Sequence, residues 1–570
     1  MSRSQVIRGR VRLFFILIVC VGLVIVYRLY SIQIVSGENF AIKADRQHLT
    51  PNSVLLNRGV IYFTSKDGDK VTGAYQKTGN IVIINPRIAT DAEAIYKKIN
   101  AEIPIDKEEF LRKAAKKTDS YEEIVKKVDL DVGAKIAEQT IEGLQLFKQK
   151  WRAYPSGSLA SGVLGFMAYK NDSLEGQYGL EYQYEDILKR KNDSSYANFF
   201  VEMFSNLKGT FTENSGDEGD IVTTIEPSVQ AYLEQALEKV NKKWSSDFTG
   251  GIIMDPATGE IVAMASYPTF DPNNFSIEKD SKVFSNRLVE DVYEMGSIIK
   301  PLTMASGIDT GLITAKTTYN DTGFLVLNNK KISNYDGRGR GVVDMQEVLS
   351  QSLNTGVAFV TQKIGNAVAS KYFRSFGIDK KTGIDLPFEA ASLVSNLNST
   401  RDIEHATASY GQGIAMTPIN TIRALSALAN GGKLIWPHVV SKIEYSSGFS
   451  KTIELPEPAQ VIKRETATEV TRMLVRVVDE ALLDGAAKMD RYSVAAKTGT
   501  AQISDTVRGY YDDRYLHSFF GYFPAYNPKF IVFLFTYHPK EVKYASETLT
   551  QSFMDITKYL INYYDIPPDR

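Results

Sequence analysis

The chain has 570 residues, too many for one ordinary domain, with 43% hydrophobic and 23% charged residues, a balance that allows sizeable cores. A net charge of −1 gives no electrostatic reason for a nucleic-acid partner. The single cysteine, Cys20, rules out an intrachain disulfide, and it lies in an apolar segment unsuited to a thiol nucleophile or a cysteine-based metal site. The five histidines are scattered, without a His-Glu-x-x-His pattern, and read as structural or exposed; His517 alone precedes a strand near the candidate site.

Arg3, Arg8, Arg10 and Arg12 precede an uncharged apolar run, Leu13 to Tyr27, which continues more weakly from Leu29 to Val35. A membrane-spanning helix needs about 20 largely apolar residues. This stretch reaches that length if Arg12 and Arg28 extend to the interfaces. The arginine excess places the N-terminus in the cytoplasm and residues beyond Tyr30 outside. A cleaved signal peptide shares this charge layout. No small-x-small cleavage site stands where one is needed, which favours an uncleaved anchor over residues 1–30.

Residues 31–216 read as a separate module. Arg58–Tyr62 and Asn80–Ile84 have strand composition, while Asp91–Asn100, Asp106–Lys117 and Asp131–Leu146 have helical spacing. Asp106 with Glu109 has the spacing of a helix N-cap. No nucleophile, metal site or phosphate loop stands out, so the module reads as a scaffold.

Polar residues from Asn206 to Asp220 mark a boundary, and residues 217–570 form the second expected domain. Ile221–Ile225 reads as a strand, Pro227 opens a helix to about Lys243, and Gly250–Ala265 is a hairpin around Asp255-Pro256-Ala257-Thr258-Gly259. Ser297 to about Ala429 is mainly helical. Strands return at Tyr492–Ala496, Ser518–Phe523 and Phe530–Tyr537, and Leu549–Tyr563 is a closing helix with Thr548 and Gln551 at capping-box spacing. Strands at both ends with helices between predict an α+β fold whose chain ends join in one antiparallel sheet.

Three short motifs carry the chemistry. Ser297 and Lys300 are three residues apart, about one helical turn, so both side chains share a face. A serine hydroxyl needs a base to become a nucleophile, and a lysine serves if burial lowers its pKa. Ile298, Ile299, Leu302 and Ala305 would bury that lysine. Ser352-Leu353-Asn354 follows as the one Ser-x-Asn in the chain, and Lys497-Thr498-Gly499-Thr500 comes after it. Each motif alone is weak: Ser205/Lys208 and Ser276/Lys279 repeat the first spacing, and Lys-Thr-Gly recurs at Lys77 and Lys381. The ordered triple is specific.

With these motifs the chain resembles the class B penicillin-binding proteins, the monofunctional peptidoglycan transpeptidases. Other landmarks agree in order: Arg58-Gly59-x-Ile61, Arg152-x-Tyr154-Pro155-x-Gly157, Gly179-Leu180-Glu181, Gly383–Pro387, Ser409-Tyr410-Gly411-Gln412-Gly413 and Phe519–Pro524. Met295 stands where the family often has Pro, and Ala496 where it often has Gly; neither removes a chemical group. The resemblance implies an elongated α+β pedestal of the dimerisation type followed by an antiparallel sheet flanked by helices. It implies Ser297 as the acylated nucleophile, Lys300 as its base, and Ser352 as a proton relay with Lys497. Asn354 would bind the donor peptide, and Thr498, Gly499 and Thr500 would bind the terminal carboxylate of a D-Ala-D-Ala stem peptide. No cofactor or metal is required. β-Lactams would be covalent inhibitors, and water in place of the acceptor amine would give a D,D-carboxypeptidase side activity. The moderate length and compact module before Gly216 resemble the septal enzymes, implying divisome partners and a membrane-embedded glycan polymerase. The alternatives are an elongation-specific transpeptidase and a catalytically silent scaffold or β-lactam sensor.

Overall fold

The computed structural model describes residues 21–22, 57–170, 173–190, 218–505 and 509–570. Apart from Val21 and Gly22, the apolar run at 13–35 lies outside the described residues, as does the boundary expected at 216–217. Among the described residues no helix is long and apolar enough to cross a membrane.

Packing divides the chain into two units. In the first, residues 76–84 of the Lys70–Ile84 strand pair with Glu122–Val128. Helices Ala92–Glu102, Lys107–Ala114 and Leu130–Glu138 supply Ile95, Ile99, Phe110 and Ile136 to a core with Val82, Ile84 and Val128. Asp106 caps its helix by accepting from Glu109 N at 2.6 Å, as its sequence position predicts. The helix expected to reach Leu146 stops at Glu138. Thr140 and Gly143 take left-handed backbone there (φ 43° and 84°), and Leu144–Ala153 is a strand.

The second unit comprises Arg58–Tyr75 and Arg152–Arg570. Residues well before 216 therefore pack with the C-terminal part. Strand Ile61–Thr64 runs parallel to Gly219–Thr223, which pairs in turn with Val440–Tyr445. The Arg58, Arg152 and Glu181 landmarks converge on one buried ion cluster. Glu181, 0% exposed, accepts from Arg58 Nε and Arg152 Nε at 2.6 Å each and from Tyr154 OH at 3.2 Å. Burial opposes its charge, but the two guanidinium groups together win and hold its carboxyl below the usual range. Glu181→Gln would take from Arg152 the carboxylate it pairs with and leave Arg58 its second partner, Glu185 at 2.7 Å, so chemical denaturation should show a loss of about 3 kcal/mol at neutral pH. This contribution is present above the ordinary carboxyl pKa and fades as pH falls through the depressed one.

The C-terminal part of this unit is built on α1 (Pro227–Trp244), β1 (Phe248–Met254), β2 (Ile261–Tyr267), α2 (Lys300–Asp309), α3 (Asn354–Ile364), α4 (Pro418–Ala429), α5 (Arg464–Arg476), β3 (Ala495–Asp505), β4 (Gly509–Phe523), β5 (Phe530–Tyr537) and α6 (Thr550–Tyr563). The sheet order is β3-β4-β5-β1-β2, antiparallel throughout, so elements from both ends of this region join in one sheet as predicted. Strand alternation separates its two faces. Phe519, Phe523, Val532 and Leu534 pack with Leu233 and Leu237 of α1 and Phe553 and Leu560 of α6. Phe520, Tyr522, Phe533 and Phe535 face the other way, toward Leu302 of α2 and Ile422 and Leu425 of α4.

Two sequence expectations fail here. The strand predicted to end at Ala496 runs on to Asp505, paired with β4; the half-buried polar Thr498, Thr500 and Gln502 break the apolar signal that the sequence offers. The capping box at Thr548 does not form. Thr548 Oγ1 instead bonds Ala545 O and His517 Nδ1, Gln551 reaches Asp555, and α6 starts after Leu549 without a side-chain cap.

Candidate active site

Ser297 sits in a short 3₁₀ turn, Gly296–Ile299, that runs directly into α2 at Lys300. Ile298, Ile299 and Leu302 are buried, which anchors the turn and leaves Ser297 half-buried. Among the described residues no side chain hydrogen-bonds the Ser297 hydroxyl.

Two neighbours clamp the turn. β3 lies against it so closely that a Cβ on Gly499 would stand 2.8 Å from Met295 O and 3.0 Å from Ile298 N. On the other side Gly411, at φ 78°, accepts a hydrogen bond from Gly296 N at 3.1 Å, and a Cβ there would stand 2.3 Å from Gly296 O. Both positions therefore require glycine. Ser518 Oγ on β4 adds a 2.8 Å bond to Met295 O. Glu294 accepts from Gly413 N at 3.0 Å and from Tyr510 OH at 3.0 Å. Burial raises the Glu294 carboxyl above its ordinary pKa. The sequence reading assigned no role to Glu294, Tyr510 or Ser518; Gly411 and Gly413 appeared only within a family landmark.

Lys300 is 0% exposed, and its Nζ donates to Ser352 O at 2.5 Å and Ser352 Oγ at 3.1 Å. Ser352 can present both oxygens because its backbone is left-handed, φ 55°, in the tight link between helix Met345–Ser350 and α3. A non-glycine residue in that region stores about 1–3 kcal/mol of strain, a feature that clusters at functional sites. Burial, and then the positive charge of Lys497, hold Lys300 well below the ordinary lysine range. Lys497 is 3% exposed, donates to Thr498 O at 3.1 Å, and is brought down to about 8 by burial. The first and third motifs thus lie within electrostatic reach, and the second is hydrogen-bonded to the first.

Unfolded Lys497 titrates near 10.5 and folded Lys497 near 8. Between those values the unfolded chain binds the extra proton, so this residue makes stability rise with pH across that window and subtracts a constant amount below it. Lys497→Met should flatten the slope between pH 8 and 10.5 and gain on the order of 1–3 kcal/mol at pH 7, read by urea unfolding at several pH values.

Asn354 opens α3, and its Nδ2 donates to Ser333 O at 2.8 Å. Ser333 ends the hairpin Phe324–Leu327/Lys330–Ser333, which interrupts the stretch whose sequence predicts mainly helix. Its turn left one signal: Asn328 and Asn329, both left-handed at φ 45° and 60°, link the apolar Phe324–Leu327 to the polar Lys330–Ser333. Thr500 Oγ1 accepts from Ala545 N at 3.2 Å, and Tyr544 just before it meets Tyr335 edge-on at 5.9 Å. His517 is a structural residue, fully buried, hydrogen-bonded to Thr548 Oγ1 and Lys543 O, and lowered to about 4 by desolvation.

Residues 249–558 match the penicillin binding protein transpeptidase domain, and residues 56–224 match the penicillin-binding protein dimerisation domain. The chain belongs to the penicillin-binding protein transpeptidase family. Stage V sporulation protein D of Bacillus subtilis is 30% identical over 547 residues, spanning 93% of this chain and 82% of that protein. Peptidoglycan D,D-transpeptidase FtsI of Buchnera aphidicola is 25% identical, spanning 96% of this chain and 93% of its own. The crystal structure of penicillin binding protein 2X from Streptococcus thermophilus superposes with a TM-score of 0.72 at 21% identity, covering 90% of this chain and 81% of that one. Penicillin binding protein 3 of Mycobacterium tuberculosis, complexed with aztreonam, gives 0.68 at 22%, covering 90% and 98%. The two-domain α+β architecture of the penicillin-binding proteins is thus the fold of this chain.

Proposed function

We propose that this penicillin-binding protein cross-links peptidoglycan as a serine D,D-transpeptidase. The observation that carries this reading is Lys300, buried without a counter-ion in its hydrogen bonds and tied to Ser352 one turn from Ser297. A neutral amine has two N–H bonds and one lone pair. Ser352 O and Oγ use the two donors, leaving the lone pair for the Ser297 proton.

Ser297 Oγ attacks the carbonyl of the penultimate D-Ala as Lys300 takes its proton. The backbone N–H groups of Ser297 and Thr500 stabilise the developing oxyanion, a contribution that typically falls about 10²–10³-fold when one donor is lost. β3 is an edge strand of its sheet among the described residues, so alternate backbone groups are free to pair with an extended stem peptide. Lys497, Thr498, Gly499 and Thr500 receive its terminal carboxylate, and Asn354 its backbone amide. The proton passes from Lys300 through Ser352 to the leaving D-alanine amine. A second stem-peptide amine then attacks the acyl-enzyme and restores Ser297. β-Lactams form the same ester and stay on it.

Residues 1–30 anchor the chain once through the cell membrane with the N-terminus cytoplasmic, residues 31–216 serve as a non-catalytic pedestal, and residues 217–570 work outside the membrane. The role is septal, with a membrane-embedded glycan polymerase and divisome proteins as partners. The relative named FtsI, a peptidoglycan D,D-transpeptidase, supports the chemistry. Gel fluorography with a labelled penicillin tests that chemistry, and a silent scaffold would give no serine-dependent label. Depletion tests the role: filaments are expected, and rounded or swollen cells would assign the protein to elongation.

A further inference from the structure

Behind Asn354 lies a buried polar cluster that takes no direct part in the chemistry at Ser297. Asp321 ends the strand Thr318–Asp321 and is 2% exposed. Its carboxylate accepts from the N–H groups of Gly323 and Arg340 at 3.0 Å each, from Asn334 Nδ2 at 2.9 and 3.0 Å, and from Thr355 Oγ1 at 2.8 Å. The Arg340 guanidinium pairs with Asp336 instead, so among the described residues the hydrogen-bond partners of Asp321 are neutral donors. Asn334, 3% exposed, accepts at Oδ1 from Thr355 N at 3.3 Å, and Asp321 and Asn334 Oδ1, at 2.8 and 3.0 Å, compete for the one Thr355 hydroxyl proton, which the charged carboxylate takes. Tyr319 OH lies 3.1 Å from the same hydroxyl.

A carboxylate only accepts hydrogen bonds, so its identity dictates the polarity of everything around it. It forces Asn334 to point Nδ2 inward and Oδ1 toward Thr355, and it takes the Thr355 hydroxyl proton. Thr355 is the residue after Asn354 in the first turn of α3, and Ser333 is the residue before Asn334. Both backbone neighbours of the cluster therefore hold Asn354: one carries its main chain, and the other takes one Nδ2 hydrogen at 2.8 Å. Among the described residues nothing takes the second Nδ2 hydrogen or Oδ1, which leaves both for a ligand.

We propose that Asp321 is a positioning residue for the transpeptidase reaction, setting through Asn334, Ser333 and Thr355 the orientation in which Asn354 meets the acyl-donor peptide. The inference rests on the assignment of Ser297 as the acylated nucleophile. Asp321 itself touches no substrate. Its effect is geometric: small misplacements of a binding group are costly even when the mutated residue lies away from the chemistry.

The experiment is a double-mutant cycle in the full-length protein, reading the second-order rate of penicillin acylation and the unfolding midpoint. Asp321→Asn keeps the shape but sets an N–H donor against the donors already present. It should slow acylation by ~10–100-fold in the wild-type background. In the Asn354→Ala background the same change should cost less than about 2-fold, because the group it positions is gone. Thr355→Val, nearly isosteric, should show the same coupling with a smaller loss, and it serves as the probe if Asp321→Asn fails to fold. Equal losses in both backgrounds would overturn the proposal, since a merely structural residue acts regardless of Asn354. A wild-type protein that takes no label would overturn the Ser297 assignment itself, whereas a labelled wild type with an additive cycle removes only the role of Asp321.

Discussion

Ser297→Ala should abolish penicillin labelling and transpeptidation while leaving the unfolding midpoint close to that of wild type. The hydroxyl is half-buried and no side chain among the described residues hydrogen-bonds it, so its removal breaks no stabilising contact. Substitutions of that kind usually stay within about 0.5 kcal/mol. Neighbouring Ile298 and Ile299 remain in the core, and the clamp by Gly411, Gly499 and Ser518 acts on backbone atoms that alanine retains. The rate should fall by ~10⁴-fold or more, because without an oxygen nucleophile no acyl-enzyme can form. Stopped-flow or gel-based acylation, paired with thermal unfolding of the same preparations, checks both halves. A variant that still formed a covalent adduct would place the nucleophile elsewhere.

The second large effect is expected at Lys300. Lys300→Met fills the same buried space without the amine. Acylation should drop by ~10²–10⁴-fold, the usual share of a general base. The pH dependence distinguishes a base from a packing residue. Burial and Lys497 lower the Lys300 pKa, so the reactive neutral form appears at a lower pH than for an ordinary lysine. Wild-type acylation should therefore rise with pH through that lowered value and then level off, and the methionine variant should lack the rising limb. Ser352 O and Oγ lose their donor in this variant, so some loss of stability should accompany the kinetic effect. A wild-type profile with no rising limb at any pH where the protein stays folded, or a variant with an unchanged profile, would exclude the base assignment.

The grouping of the three motifs was legible in the sequence because it depends on local spacing and order. Ser297 and Lys300 fall on one turn, and the two later motifs announce themselves by composition. The sheet was legible because Phe519–Phe523 and Phe530–Phe535 are apolar on both faces, which only a buried strand tolerates. What escaped was set by tertiary contacts. The buried union of Arg58, Arg152 and Glu181 joins residues up to 123 positions apart, and charged residues in an unaligned sequence read as solvated. The extension of β3 past Ala496 is carried by backbone pairing with β4, to which side-chain polarity gives no clue. The hairpin that holds Asn354 lay inside a stretch dominated by helices, where its two asparagines were the one signal of a turn. The left-handed Ser352, which lets one residue offer two oxygens to Lys300, leaves no mark in composition at all.

The most direct measurement is intact mass spectrometry of the protein after exposure to benzylpenicillin, followed by peptide mapping of the adduct. One added penicillin molecule per chain is expected, carried on the peptide containing Ser297 and absent from Ser297→Ala. An unmodified wild-type mass, or an adduct mapped to any other residue, would contradict a serine primed by a dry, uncharged lysine.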